Sequence, residues 1–349
     1  MSLCDTRLCR SLGIEFPLIV APMAGGPTTV DLVAAVSEAG GLGSLAGAYR
    51  SAESIADDAQ KILSRTRKPF AINLFIPTPF SQPSEEEVRQ AILKTQKFRD
   101  EFHLKAPVLA PPFQDDFDEQ FETVLRIKPQ VVSFIFGAPS REHIREARKR
   151  GIFLIGTATA PEEARALEDA GVDAVVAQGI EAGGHRGIFD PLAEDPGIGT
   201  LDLLRNLKGN IHRPLISAGG LMNSRHIEEA LRNGAEAVQM GTAFLATKEA
   251  GTSTLYRRKL LEGPIRDTKT TRAFSGRLAR GMKNRFLREM DACPEAILPF
   301  PIQNKFTRDL RNASAAADSA DFLSLWAGAG EGELFTGPAG DLIRLLFRF

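Results

Sequence analysis

Residues 178–187 read Gln-Gly-Ile-Glu-Ala-Gly-Gly-His-Arg-Gly, which sets one of only five histidines between a pair of glycines and an arginine. An imidazole with its ordinary pKa near 6.5 exchanges a proton at neutral pH or hydrogen-bonds an anion, so His185 is the residue whose chemistry has to be explained. The other four, His103, His143, His212 and His226, fall on predicted helices or surface turns, where at least three should be structural or solvated. A metal site of His185 with Glu181 and Asp190 lacks a second histidine at ligand spacing, and no metal is expected. Three cysteines, Cys4, Cys9 and Cys293, show no C-x-x-C pair and read as a reducing compartment without a zinc site. The stretch "GLGSLAG" (41–47) has the wrong glycine spacing for a dinucleotide fingerprint and follows a helix. No Walker loop, H-E-x-x-H or G-x-S-x-G elbow is found.

The elements that must position His185 follow from periodicity. Short β-rich apolar runs lie at 17–23, 41–47, 70–76, 130–137, 151–158, 172–179, 213–220 and 235–244. Amphipathic helical segments separate them, several opening on Ser, Thr or Asn and closing at Gly. Eight such strands predict an α/β fold, a (β/α)8 TIM barrel, with an open eight-stranded sheet as the weaker alternative. The long interval between the third and fourth strands predicts an extra helical excursion. Residues 250–306 are basic, lack a further buried strand in this reading, and predict a mainly helical cap; a closing helix follows near the C-terminus. The organisation is then a barrel of residues 1–249 and 307–349 with a cap or substrate domain of 250–306.

In such a barrel the reactive loops follow the carboxyl ends of the strands, and phosphate is commonly held after strands seven and eight. Those positions carry Gly219 and Gly220, then Gly241 and Thr242, which together predict a phosphate clamp of backbone N–H groups. Strand one ends in Ala21-Pro22-Met23. Asn73 interrupts the apolar third strand and Gln178 ends the sixth; buried amides need partners, so both should face a polar ligand ring or each other. A planar ring near Met23 with amides at its edge suits a flavin.

The chain has 349 residues, 43% hydrophobic and 25% charged, with a formal net charge of −1. This is the balance of a globular protein and gives no reason to expect nucleic acid or an acidic membrane as partner. Between Tyr256 and Arg288, however, eleven Lys or Arg face two acids, Glu262 and Asp267, a local excess of +9. The preferred reading is a solvated, salt-bridged face; the alternative is an anion-attracting lid. The N-terminus is a poor signal peptide and no run is long enough to span a bilayer, so a cytoplasmic location is expected.

"APMAGGPTTVDLVAAVSEAGGLGS", "QGIEAGGHRG" and "PLISAGGLMNSRHIEEALRNGAEAVQMGTAFLATKEAG" closely resemble three ordered motifs of the nitronate monooxygenase (2-nitropropane dioxygenase) family, in the group with Q-G-x-E-A-G-G-H-R-G. The resemblance implies an FMN enzyme that oxidises alkyl nitronates, propionate 3-nitronate among them, with O2 through single-electron transfer and an anionic flavin semiquinone. It implies FMN contacts at Asn73, Gln178, Gly183, Gly220, Gln239, Met240, Gly241 and Thr242. Ala21, Pro22, Met23 and Gly219 join them from the strand-end reading. His185 matches the family's active-site histidine, either as base toward a neutral nitroalkane or as anchor for the nitro oxygens. Arg186 either assists an anionic substrate or, as preferred, forms a structural salt bridge. Two positions depart from the resemblance: Ala329, where Gln is common, and Phe300, where Tyr is often found. The partners implied are a small-molecule nitronate and O2, with a homodimer left open. The alternative reaction is an FMN-dependent NAD(P)H reductase acting on quinones or enoyl thioesters; a third reading is a flavin-binding barrel without chemistry.

Overall fold

Alternate residues of eight short strands point to opposite sides of one sheet, and this two-residue period explains both the core and the site. The computed structural model describes residues 4–263 and 267–348; Met1–Leu3 of the N-terminal reading and Arg266 of the basic stretch lie outside them. The strands of the barrel are β1 (Leu18–Val20), β2 (Gly43–Ala46), β3 (Phe70–Phe75), β4 (Val131–Ile135), β5 (Phe153–Ala158), β6 (Ala174–Gln178), β8 (Leu215–Ala218) and β9 (Ala237–Met240). A two-residue strand, β7 (Gly184–His185), stands outside it. Neighbours pair in parallel in the order β1-β9-β8-β6-β5-β4-β3-β2. The ring closes where Val20 N donates to Leu42 O (2.9 Å) and Leu42 N donates to Leu18 O (2.8 Å). The expected (β/α)8 barrel is the architecture found.

Ile19, Ala71, Val131, Ile155, Val176, Ile216 and Ala237 point into the lumen and pack with Leu8 and Leu12 of helix α1 (Arg7–Leu12), which plugs the amino end. The intervening Leu18, Ile72, Leu74, Phe134, Leu154, Val175 and Val238 face outward into the layer of crossover helices. Those helices are α2 (Val30–Glu38), α3 (Ala52–Arg65), α5 (Phe117–Ile127), α6 (Arg141–Lys149), α7 (Pro161–Ala170), α8 (Thr200–Leu207) and α9 (Ser224–Arg232). Most begin on a side-chain cap, as Thr29 accepts from Leu32 N and Ser140 from His143 N. The excursion after β3 is α4 (Glu85–Glu101), opened by a capping box of Ser84 and Glu87.

Residues 250–306 are not helical throughout. Beside α10 (Thr254–Leu261), α11 (Arg285–Asp291) and α12 (Ile302–Phe306) they contain an antiparallel pair, β10 (Thr268–Thr271) and β11 (Ala279–Met282). β11 also pairs with β7, setting Ala279 opposite His185. These strands are too short and too polar on one face to stand out in sequence, which corrects the expectation that no further strand lies here. The segment does not pack by itself: Phe274 and Phe286 join Phe98 of α4 and Phe322 in one aromatic cluster. Buried Arg99 ties α4 to α12 through the Phe306 carbonyl (2.9 Å) and to helix α13 (Arg308–Ala316) through Asp309 (2.7 Å). The closing helix, α14 (Ala339–Leu346), packs on α2 and α9. The basic stretch divides: Arg258, Lys259, Lys269, Lys283 and Arg285 pair with carboxylates at the surface, whereas Arg277 is buried. No helix of the described residues is long and apolar enough to cross a membrane.

Candidate functional site

The inward positions two residues beyond the apolar lumen layer are polar: Asn73, Ser133, Thr157, Gln178 and Gln239. They floor a cavity of about 460 Å3 at the carboxyl mouth of the barrel. His185 and all twelve residues expected to hold a cofactor line it: Ala21, Pro22, Met23, Asn73, Gln178, Gly183, Gly219, Gly220, Gln239, Met240, Gly241 and Thr242. Ser133 and Thr157 escaped the sequence reading, although each follows a lumen residue, Val131 and Ile155, at the strand period.

Asn73 and Gln178 do not bond each other. Asn73 Nδ2 donates to Ser133 O and Oγ (3.2 and 3.0 Å), leaving its Oδ1 free of protein partners among the described residues. Gln178 holds the following turn: Nε2 donates to His185 O (3.1 Å), and Oε1 accepts from Gly187 N (2.8 Å) and Arg186 Nη1 (3.0 Å). Arg186 is buried, pairs with Asp195 (2.6 Å) and donates to the carbonyls of Gln178 and Gly179, which makes it the structural ion pair preferred from sequence. Glu181 and Asp190 turn away from His185; Glu181 accepts from Thr200 N and Oγ1, and Asp190 accepts from Leu192 N.

One end of the cavity is built from backbone. Gly219 and Gly220 take φ of +120° and +68°, a conformation glycine adopts without a Cβ penalty. The N–H groups of Gly220, Leu221, Gly241 and Thr242 have no acceptor among the described residues. These loops turn unpartnered N–H groups toward the cavity, the arrangement by which a backbone cradle can hold an anion. Thr242 Oγ1 accepts from Gly328 N (3.0 Å), which draws residues 327–330 over the cradle. Gly183 permits that approach, since a Cβ there would meet Gly328 N at 2.5 Å.

The other end is built from side chains. His185 Nε2 lies 2.8 Å from Ser275 Oγ. Phe75, Phe136, Phe300 and Trp326 surround the ring at centroid distances of 6.3, 5.9, 6.1 and 5.7 Å. Phe136 and Tyr49 both carry left-handed backbone, φ +78° and +64°, costly for bulky residues and retained at the rim of the site. Burial among these rings pushes the His185 pKa down from 6.5 to about 3, helped by the charges of Arg277 and Arg311. The sequence leaves His185 as either a base or an anchor for the nitro oxygens; burial favours the neutral ring at neutral pH and lowers its basicity. The cavity's charged lining residues are Arg308 and Arg311, and no carboxylate side chain lines it among the described residues. Phe75, Phe136, Trp326, Ser275, Arg277, Arg308 and Arg311 were missed from sequence because they come from elements far apart in the chain. Only Ser275 and Arg277 lie in the basic stretch 256–288.

Fold and cavity together define the class, a (β/α)8 barrel with a candidate site at its carboxyl mouth. The family model for nitronate monooxygenase matches residues 5–348. Probable nitronate monooxygenases of Staphylococcus aureus strains MSSA476 and Newman are each 39% identical over 339 residues, covering 97% of this chain and 95% of theirs. The solved structure of a nitroalkane oxidase from Streptomyces ansochromogenes superposes with a TM-score of 0.90 at 39% identity, covering 97% of this chain and 96% of that one. FabK from Thermotoga maritima does so with 0.76 at 28% identity, covering 99% and 95%. The chain belongs to the nitronate monooxygenase family and is an oxidoreductase.

Proposed function

We propose that the protein is an FMN-dependent enzyme that oxidises alkyl nitronate anions with O2. The observation that carries this reading is the charge of the cavity: a neutral His185 and two arginines without carboxylates at one end, four unpartnered N–H groups at the other. The residues present fit FMN. The unpartnered N–H groups after β8 and β9 suit its phosphate, the free Oδ1 of Asn73 suits a ring N–H, and Met23 with Gly241 supplies a surface that a flat ring can approach. Bound FMN would supply the electron acceptor and the centre at which O2 takes the electrons back.

This chain's own residues do the rest. The field of Arg277, Arg308 and Arg311 draws an anion to the His185 end. His185, neutral, offers the nitro oxygens its Nδ1–H when the Ser275 hydroxyl turns its proton to Nε2, and so orients them rather than removing a proton. The phenylalanines and Trp326 exclude water, which strengthens those interactions. Phe300 stands where a tyrosine hydroxyl would offer one more polar contact, so the wall above His185 is wholly apolar on that side.

The runner-up, an FMN-dependent NAD(P)H reductase, would use the same barrel and cradle, so the test must separate the two. The purified protein should carry a visible flavin spectrum and take up oxygen with propionate 3-nitronate. Rapid NAD(P)H oxidation with a quinone or enoyl thioester, without nitronate-dependent oxygen uptake, would overturn the reading.

A further inference from the structure

Arg277 is 2% exposed, yet no carboxylate lies within ion-pair distance among the described residues and its Nε has no hydrogen-bond partner there. Its Nη2 donates to the carbonyls of Ile188 and Phe189, and its Nη1 donates to Thr78 Oγ1 (3.3 Å). The guanidinium lies 3.7 Å from the centroid of Phe136, whose ring meets His185 at right angles. The backbone of the same residue clasps Ser275, whose Oγ accepts from Arg277 N (3.3 Å) and has both Arg277 O (3.1 Å) and His185 Nε2 (2.8 Å) within reach of its one proton. A buried charge without a counter-ion costs stability, and its field is poorly screened inside a dry cavity.

We propose that Arg277 is a positioning residue that keeps His185 uncharged, supplying fixed positive charge to this end of the cavity without a proton that the substrate anion could take. The chemical purpose rests on the nitronate reading above. An imidazolium beside a nitronate could pass its proton to the anion's carbon or oxygen, leaving neutral imidazole and a neutral nitroalkane or nitronic acid. No electron moves in that step, and the electron-rich donor is lost. Arginine gives the same attraction and keeps its proton: even lowered by burial to about 10, the Arg277 pKa leaves a cation at neutral pH.

The charged groups that face His185 are Arg277 and Arg311 of α13. Arg186, next in the chain, turns to Asp195, and Arg280 of β11 donates to Ile180 O. Ser275 and the four aromatic rings supply the other faces. Arg272, Glu163, Asp190 and Tyr49 act on Arg277 in turn.

The test follows the His185 ring by 15N NMR through a pH titration of the purified protein, with His185→Asn to assign the signal. In the wild type the ring should stay neutral below pH 5. In Arg277→Met its pKa should rise by about one pH unit, short of 6.5 because burial persists, while Arg277→Lys, which keeps the charge, should titrate with the wild type. The kcat/KM for nitronate should be flat with pH in the wild type and Arg277→Lys, and should fall with falling pH in Arg277→Met. A folded Arg277→Met with an unshifted ring would overturn the proposal. Should that variant not fold, Arg277→Gln, which keeps the hydrogen-bonding shape without the charge, is read the same way, and a wild-type His185 titrating near 6.5 would overturn the proposal too. A wild type that takes up no oxygen with nitronates would sink only the functional reading, since the titration is read without turnover.

Discussion

After β8 and β9 the cavity offers an anion the backbone N–H groups of Gly220, Leu221, Gly241 and Thr242, whereas its His185 end is lined by Phe75, Trp326, Arg308 and Arg311, with Phe136 and Phe300 against the imidazole and Arg277 buried against Phe136. The first region needs only two short loops with glycine at the right places, and its dipoles neither titrate nor move. The second gathers side chains from a strand, a helix and several separate loops and sets its charge by burial. On the proposed function the contrast would separate holding a cofactor from choosing the charge state of a substrate, and variants in the two regions should therefore fail differently.

The largest effect belongs to the backbone cradle. Gly220→Val forces a β-branched residue into φ +68° and brings its Cβ to 3.1 Å from Glu181 Cβ, turning the N–H groups off the anion. The protein should fold but emerge from gel filtration without flavin and without activity; retained flavin would mean that the cradle holds nothing essential. His185→Asn should keep its flavin and lose on the order of 10²-fold in kcat/KM. The same variant tests the charge state through stability. His185 has a folded pKa of about 3 against an unfolded value of 6.5, so stability is full above 6.5 and is lost as pH falls through that interval. His226, also lowered by burial, adds to the same limb. The Tm difference between pH 7.5 and pH 5 should thus shrink, without vanishing, in His185→Asn; an unchanged difference would contradict a neutral His185.

The same contrast explains what sequence made legible. Eight strands, their order of use and the glycine loops follow from local period and backbone conformation, so Gly219, Gly220 and Gly241 were readable where they stand. His185 was readable because glycines frame it. Its depressed pKa was not, because burial by Phe75, Phe136, Phe300 and Trp326 is a property of packing between distant loops. The β10–β11 pair was hidden for a related reason: each strand is four residues long and half-buried, and its partner is the two-residue β7. Arg277 was counted among eleven cations of a basic stretch, and nothing local distinguishes it from Arg285 on the surface.

The central claim is that the site accepts a preformed anion and does not make one. Oxygen uptake by one preparation with propionate 3-nitronate and with its parent nitroalkane, each added fresh so that the two forms do not interconvert, compares the charge states directly. The account predicts that kcat/KM for the nitronate exceeds that for the nitroalkane by on the order of 10²-fold or more, the rate that a well-placed base would otherwise contribute. Equal values, with the nitroalkane rate depending on His185, would show instead that His185 abstracts the proton.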